Sequence, residues 1–91
     1  MSGNDLGMRR RRALWRATHR GSKEMDFLLG RFAAREVDTM DAGEIAAFER
    51  LIEVPDPAIE ASVVGGQPLG ERDLDELIDR VRRFHGLDRT D

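Results

Sequence analysis

The stretch RGSKEMD, residues 20–26, places an arginine and two carboxylates around one glycine. Arg20 precedes Gly21, and Glu24 and Asp26 follow it, so three charges crowd a short turn between two helix-like segments. A glycine in this position can end a helix in the left-handed conformation, and the carboxylates can interact with the dipole of the next helix. The same glycine could let the backbone of a partner approach closely. The residues therefore indicate either the corner of a helical hairpin or the working surface of the protein.

Groups that could carry catalysis are sparse in this sequence. His19 and His85 are far apart and lack the spacing of a metalloprotease motif, so a role at helix ends suits them better. The three serines lie outside any nucleophile-elbow context. The absence of cysteine excludes disulfides, cysteine-ligated zinc and thiol nucleophiles. The sequence therefore predicts a protein that is not an enzyme, with no catalytic residue, no metal-binding residue and no tightly bound cofactor.

Charge is distributed unevenly along the chain. Residues 1–23 carry a net charge of +6 and the remaining residues carry −9, which gives −3 in total. Most of the positive charge lies in one run, Arg9, Arg10, Arg11 and Arg12. This run is consistent with a solvated helix face, with nucleic-acid contact or with an acidic protein partner. An acidic domain with no tyrosine and no aromatic platform beside the arginines argues against nucleic acid.

Hydrophobic residues recur at spacings of three and four, and no segment alternates with period two long enough to form a strand. The sequence predicts an all-α fold, a compact single-domain bundle of five helices. Residues 1–7 are expected to form a disordered tail, residues 8–86 the helical domain and residues 87–91 a C-terminal tail. The side chains expected to be largely buried are Leu14, Trp15, Leu28, Phe32, Phe48, Leu51, Leu77 and Val81.

Capping residues predict the first two helices. The first helix should cover residues 8–19, with Gly21 as the left-handed residue that follows it. Ser22 should cap the second helix, which extends to Glu36. Gly30 inside this second helix costs about 1 kcal/mol relative to alanine, so it predicts the close approach of a neighbouring helix.

Start and stop signals also predict the other three helices. The sequence DAGE, residues 41–44, is a capping-box variant that begins the third helix. Asp56 is expected to be the N-cap of the fourth, with Pro57 at its first position. The glycine pair at residues 65–66 should end that helix rather than bind phosphate, since no strand precedes it and no GK[ST] sequence follows. The fifth helix is expected over residues 71–85.

The turn also carries a resemblance to a known family. The form R-G-x-x-E-[LM]-D, with Trp15 upstream and FERLIEVPDP downstream, resembles the small succinate dehydrogenase assembly (flavinylation) factor family. The similarity extends from about Arg10 to Phe84. The RGxxE pattern alone is weak evidence for this family. Its position between the first two helices of so small a protein makes the resemblance more specific. Members often have a tryptophan in the fourth helix, where this sequence has AIEASVVGG with Ser62 near that place.

The resemblance implies a five-helix fold and a role in the covalent attachment of FAD to the flavoprotein subunit of succinate dehydrogenase, with fumarate reductase as a further partner in related bacteria. It implies that the factor binds the flavoprotein and that the flavin is joined to a histidine of that partner, so FAD belongs to the partner. Arg20, Gly21 and Glu24 match the functional motif of the family, and Asp26 completes its pattern. Together with the basic run, the predicted partner-binding residues are Arg20, Gly21, Glu24, Asp26, Arg9, Arg10, Arg11 and Arg12.

The expected context is a monomer in the bacterial cytoplasm that neither binds nucleic acid nor inserts into a membrane. No apolar stretch reaches the roughly 20 residues of a membrane helix, and no hydrophobic region follows the N-terminal basic residues as in a secretory signal. The alternative is a small nucleic-acid-binding or antitoxin-like regulatory protein that uses the basic first helix. Binding to DNA or RNA that falls steeply with salt would favour this alternative.

Overall fold

The computed structural model describes residues 3–87 of the chain; residues 1–2 and 88–91, which belong to the two predicted tails, lie outside this range. Within the described range the chain forms five helices and no strand, which confirms the predicted all-α class. The helices are α1 (Gly3–Thr18), α2 (residues 23–36), α3 (Ala42–Ile52), α4 (Asp56–Val63) and α5 (Arg72–Phe84). A short 3-10 helix, Val37–Thr39, follows α2.

The first helix is longer than predicted. It begins at Gly3, whereas the sequence suggested a start at Met8 after a disordered tail over residues 1–7. Asp5 places a negative charge in the first turn of α1, where the helix dipole favours it. Leu6 packs against the core. These two contributions stabilise a turn whose sequence lacks a clear hydrophobic period.

The second helix is continuous but irregular. Lys23–Met25 and Arg31–Glu36 are α-helical, and Asp26–Gly30 between them forms a π-helical turn. The hydrophobic period predicted the helix but did not indicate this turn. The carbonyl oxygen of Leu28, inside the π-helical turn, accepts a hydrogen bond from Nε2 of His85 at 2.8 Å. The irregular turn is therefore attached to the C-terminal end of α5.

All five helices contribute side chains to one core. Six of the eight residues predicted to be buried are buried, namely Leu28, Phe32, Phe48, Leu51, Leu77 and Val81. Leu14 is partly buried and packs against the core. On α3, α4 and α5 the buried residues recur at helical spacing, which is why the sequence period identified most of them.

Trp15 is exposed, and the prediction that it anchors the core was wrong. Its side chain is 60% exposed, whereas Ala13 and Ala17 of the same helix are 2% and 0% exposed. α1 packs through these small residues and approaches α2 so closely that a Cβ atom on Gly30 would lie 3.1 Å from Cγ2 of Thr18. A helix face packed this tightly has no space for an indole. The predicted close approach at Gly30 is confirmed.

Of the predictions for the first residues of α3 and α4, one is confirmed and one was wrong. The capping box of α3 is confirmed, since Oδ1 of Asp41 accepts from the backbone N–H of Glu44 at 2.8 Å and Oε1 of Glu44 accepts from the N–H of Asp41 at 2.9 Å. At α4 the prediction was wrong by one residue, because Pro55 is the N-cap and Asp56 is already helical. The carboxylate of Asp56 does not cap its own helix. It bonds to the turn between α1 and α2 instead.

Candidate functional site

The turn between α1 and α2 is closed by hydrogen bonds at both ends. Oγ of Ser22 accepts from the N–H of Met25 at 3.2 Å, so Ser22 caps α2 as predicted. The carboxylate of Asp26 accepts from the N–H of Arg20 at 3.0 Å, which connects the start of the turn to the π-helical segment. Between them Gly21 has φ = 101°, in the left-handed region that favours glycine. The predicted conformation of Gly21 is confirmed.

The side chain of Arg20 is directed into the protein and is only 10% exposed. Its guanidinium donates through Nε to Oδ1 of Asp56 at 2.7 Å, through Nη1 to the carbonyl of Ile52 at 2.8 Å and through Nη2 to the carbonyl of Val54 at 2.9 Å. These carbonyls lie at the C-terminal end of α3, where the helix dipole concentrates negative charge. Arg20 therefore joins the α1–α2 turn to the corner between α3 and α4.

Gly21 and Glu24 face the solvent. Both residues are exposed, and a Cβ atom built on Gly21 would have no described atom within 4 Å. Packing does not require glycine here; the positive φ does, and the missing side chain leaves the backbone open to contact. Glu24 lies in the first turn of α2, where its charge suits the dipole of that helix. The turn thus presents exposed backbone next to a carboxylate. The hydrogen bonds of Arg20 and Asp26 fix the turn on its inner side.

An aromatic pair borders the turn. The rings of Trp15 and His19 are stacked, with centroids 4.2 Å apart and planes inclined by 12°. Nδ1 of His19 lies 2.8 Å from the carbonyl oxygen of Trp15. A carbonyl only accepts, so Nδ1 carries the proton in this bond. A shallow cleft of about 210 Å³ is lined by this pair together with Arg20 and Asp56.

The four consecutive arginines of α1 do not form one surface, since successive helical residues point about 100° apart. Arg9 donates to both carboxylate oxygens of Glu49, at 3.1 and 2.8 Å. Arg10 donates twice to the carbonyl of Met40, at 3.1 and 2.6 Å. The other two arginines, residues 11–12, are exposed. The structure therefore separates the predicted basic run into two residues with internal contacts and two that face the solvent.

The ion pair between Arg9 and Glu49 makes the stability of the protein depend on pH. The hydrogen bonds from Arg9 lower the pKa of Glu49 from its ordinary value, against a smaller opposing effect of desolvation. A carboxyl group whose pKa is lower in the folded than in the unfolded state stabilises the fold above its unfolded pKa. That contribution is lost as the pH falls through its folded pKa.

We expect Glu49→Gln to lower the melting temperature by a few degrees at pH 7. The difference from the wild type should shrink in acid, as Glu49 of the wild type becomes protonated and loses its charge. Thermal unfolding followed by circular dichroism in steps from pH 7 to about pH 3 measures this. Glu60→Gln, on the exposed surface of α4, is the control. A difference for Glu49→Gln that stays constant over this range would contradict the assignment.

Both histidines lie directly after a helix and bond to a carbonyl group, His19 to that of Trp15 and His85 to that of Leu28. Within residues 3–87, no group of three or more histidine, aspartate or glutamate side chains is placed to hold a metal ion. The chemistry that the described groups offer is binding through backbone, charge and aromatic surface.

Ser62 fills a buried position in α4, at 1% exposure. Its hydroxyl donates to the carbonyl of Gln67, which satisfies a buried polar group and ties the end of α4 to the loop before α5. Ser62, near the place where the resemblance led us to expect a tryptophan, is therefore turned inward.

Sequence reasoning missed two features of the site. It assigned Asp56 to a helix cap, and no local pattern indicated its bond to Arg20, 36 residues earlier in the chain. It also assigned Trp15 to the core. Ala13 and Ala17, two small residues at helical spacing, were the signal that another face of α1 is the buried one.

The fold and the turn define a small all-α protein with a preformed turn between its first two helices. The model of the family described as "Flavinator of succinate dehydrogenase" matches residues 11–85. The chain belongs to this family.

Curated relatives agree with the family match. The FAD assembly factor SdhE of Acetobacter pasteurianus is 38% identical over 78 residues, which cover 86% of this chain and 72% of the relative. The protein of the same name from Legionella pneumophila strain Paris is 34% identical over 71 residues, 78% of this chain and 87% of the relative. The one from strain Lens is 32% identical over 71 residues. No solved structure matches the chain significantly.

These matches confirm the family that the sequence pattern around Arg20 suggested. They do not support the alternative of a nucleic-acid-binding or antitoxin-like protein. The relatives are named as assembly factors.

Proposed function

We propose that this protein is an assembly factor that promotes the covalent attachment of FAD to the flavoprotein subunit of succinate dehydrogenase. The observation that carries the proposal is the family match over residues 11–85, which includes the whole exposed turn. Relatives named as FAD assembly factors support it. The protein assists a reaction of its partner and is not itself an enzyme, in keeping with the names of those relatives.

The turn supplies the docking surface. Gly21 and Glu24 are exposed at its centre, and the partner meets a bare backbone and a carboxylate there. Arg20 and Asp26 hold the turn in place through their internal hydrogen bonds. Because the turn is already ordered, docking loses less conformational entropy than docking of a mobile loop would.

Docking can promote flavinylation without any reactive group on the factor. The proposal assigns FAD and the histidine that receives it to the flavoprotein. The factor binds the flavoprotein more tightly in the conformation that is competent for attachment, and so raises the population of that conformation. The shift can be no larger than the difference between its affinities for the two conformations.

The central test is co-expression of the succinate dehydrogenase flavoprotein, with and without this protein, in a host that lacks its own factor. Covalent flavin is scored by fluorescence of the flavoprotein band after denaturing electrophoresis, and complex formation by co-purification. We expect the covalent flavin to rise when the factor is present. Equal covalent flavin in both strains would contradict the proposed function.

The same experiment with the fumarate reductase flavoprotein decides whether a second partner is served. We propose that it is, because the resemblance implies both. Flavinylation of the first flavoprotein but not of the second would restrict the function to succinate dehydrogenase.

The exposed arginines at residues 11–12 steer the factor toward an acidic surface of the flavoprotein. Arg9 and Arg10 are engaged internally, so the test is confined to the double variant Arg11→Gln/Arg12→Gln. We expect its association rate at low salt to fall by roughly two- to tenfold. The difference from wild type should shrink at high salt, because exposed charges are screened.

The matched control removes the same charge elsewhere, with Arg35→Gln/Arg83→Gln, two exposed arginines on α2 and α5. Stopped-flow association at several salt concentrations compares the two double variants. Equal slowing by both would show an effect of net charge, and no slowing by the first would contradict the steering role.

We further propose that the isolated protein is a monomer in the cytoplasm that binds neither a metal nor free FAD tightly, and that nucleic acid is not its partner. In the described part of the chain every helix is too short or too polar to cross a bilayer. Yellow, flavin-loaded protein or stoichiometric zinc after purification would contradict the proposal on cofactors.

A further inference from the structure

The only tryptophan of the chain is the most exposed large hydrophobic residue in the described range. Trp15 is 60% exposed, whereas Phe32 and Phe48 are almost completely buried. An exposed indole keeps a large apolar area in water, which is unfavourable in the free protein. Trp15 does not contribute to the core, since α1 packs through Ala13 and Ala17. The exposed indole therefore does not serve the core packing of the free protein.

The indole is held in one orientation before any partner binds. It stacks on His19 at a centroid distance of 4.2 Å. Nδ1 of His19 is fixed by the carbonyl of Trp15 at 2.8 Å and lies 3.0 Å from Oγ1 of Thr18. A preorganised aromatic side chain loses little rotamer freedom on binding, and tryptophan is enriched among the residues that dominate interface energetics.

Trp15 lies beside the docking turn. Trp15 and His19 line a cleft together with Arg20 and Asp56, the ion pair that fixes the turn. The indole and the exposed backbone of Gly21 therefore belong to adjoining parts of one surface. A partner that covers the turn is positioned to cover the indole as well.

We propose that Trp15 is the aromatic anchor of the docking surface and that its indole becomes buried against the flavoprotein subunit of succinate dehydrogenase. This inference rests on the proposed function and deepens it. The turn at Gly21 sets where the partner lies, and Trp15 supplies a large apolar contact at its edge. His19 is the positioning residue that keeps the indole outward.

The single tryptophan allows a direct test that does not depend on flavinylation. The factor is labelled with 5-fluorotryptophan, which gives one fluorine resonance from Trp15. Unlabelled flavoprotein is then added, and the fluorine spectrum is recorded. We expect the resonance to shift and broaden as the complex forms. A resonance that is unchanged in a complex verified by co-elution overturns the inference.

Variants of Trp15 and His19 measure how much the indole contact contributes to the affinity for the flavoprotein. We expect Trp15→Ala to weaken binding by at least about thirtyfold, the effect of a hot-spot residue, and Trp15→Phe to retain most of the affinity. His19→Ala should weaken binding by an amount between the effects of Trp15→Phe and Trp15→Ala. Because Trp15 is exposed, the melting temperature of Trp15→Ala should stay close to that of the wild type.

Met8 provides a matched control on the same helix. It is 50% exposed and lies two turns before Trp15 on the same face, roughly 10 Å away along the axis. We expect Met8→Ala to bind as the wild type does. An equal loss for Met8→Ala and Trp15→Ala would indicate a general apolar contact of α1 and would overturn the anchor role.

Failure of this inference can be told apart from failure of the proposed function. If the wild-type factor raises covalent flavin and Trp15→Ala does so equally well with unchanged affinity, the anchor role is wrong and the function stands. If the wild-type factor neither binds the flavoprotein nor raises covalent flavin, the proposed function is wrong and the anchor role is wrong with it.

Discussion

Replacement of Arg20 by alanine is expected to lower the free energy of unfolding by about 2–4 kcal/mol, although Arg20 belongs to the motif expected to bind a partner. The guanidinium makes three hydrogen bonds, two of them to backbone carbonyls at the end of α3. Its removal leaves these carbonyls and the carboxylate of Asp56 without their donor. For a domain of this size the melting temperature should fall by roughly 10–25 °C, which thermal unfolding would measure directly.

Two further variants sharpen this test. Arg20→Lys keeps the charge but cannot donate to three acceptors in a fixed geometry. We therefore expect its free energy of unfolding to lie between those of the wild type and Arg20→Ala. Combined with Asp56→Ala, Arg20→Ala should show a coupling energy of about 0.5–3 kcal/mol in a double-mutant cycle. Arg35→Ala is the control for loss of an exposed arginine and should change stability by no more than about 0.5 kcal/mol. An Arg20→Ala variant with wild-type stability and no flavinylation would show instead that Arg20 contacts the partner directly.

Gly21→Arg is expected to abolish most flavinylation, with a decrease of more than about tenfold, while the free protein stays folded. A Cβ atom at this position would meet no described atom within 4 Å, so the cost to the fold arises from the backbone conformation. An L-residue in the left-handed region costs roughly 1–2 kcal/mol. A domain with a typical stability of about 5 kcal/mol or more remains almost entirely folded after that loss.

Two milder variants separate docking from folding. Gly21→Asn should be better tolerated by the free protein, because asparagine adopts the left-handed conformation more readily, but its side chain should still hinder docking. Glu24→Ala should cost only about 0.3–1 kcal/mol through the lost interaction with the helix dipole, and should weaken partner binding. Covalent flavin on the co-expressed flavoprotein is compared with the thermal stability of each free variant. If flavinylation falls only as far as the factor unfolds, the turn is a structural corner without a docking role.

The sequence by itself determined the features that depend on neighbouring residues. The left-handed Gly21, the cap at Ser22 and the capping box of residues 41–44 were all predicted correctly, because each arises from bonds within one turn of the chain. The five helices followed from the hydrophobic period. The family was recognisable for the same reason, since RGxxE is a contiguous pattern whose residues occupy adjoining positions of one turn.

The tertiary structure alone decided which of the motif side chains face outward. Glu24 is exposed while the side chain of Arg20 is turned inward against the end of α3, a contact between residues more than thirty positions apart. Likewise Arg9 and Arg10 find internal acceptors on segments thirty or more residues away. Trp15 remains outside because the small residues of α1 allow α2 to pack too closely for an indole. Such outcomes depend on which helices meet and how closely they approach one another, and the spacing of residues within one helix does not fix either.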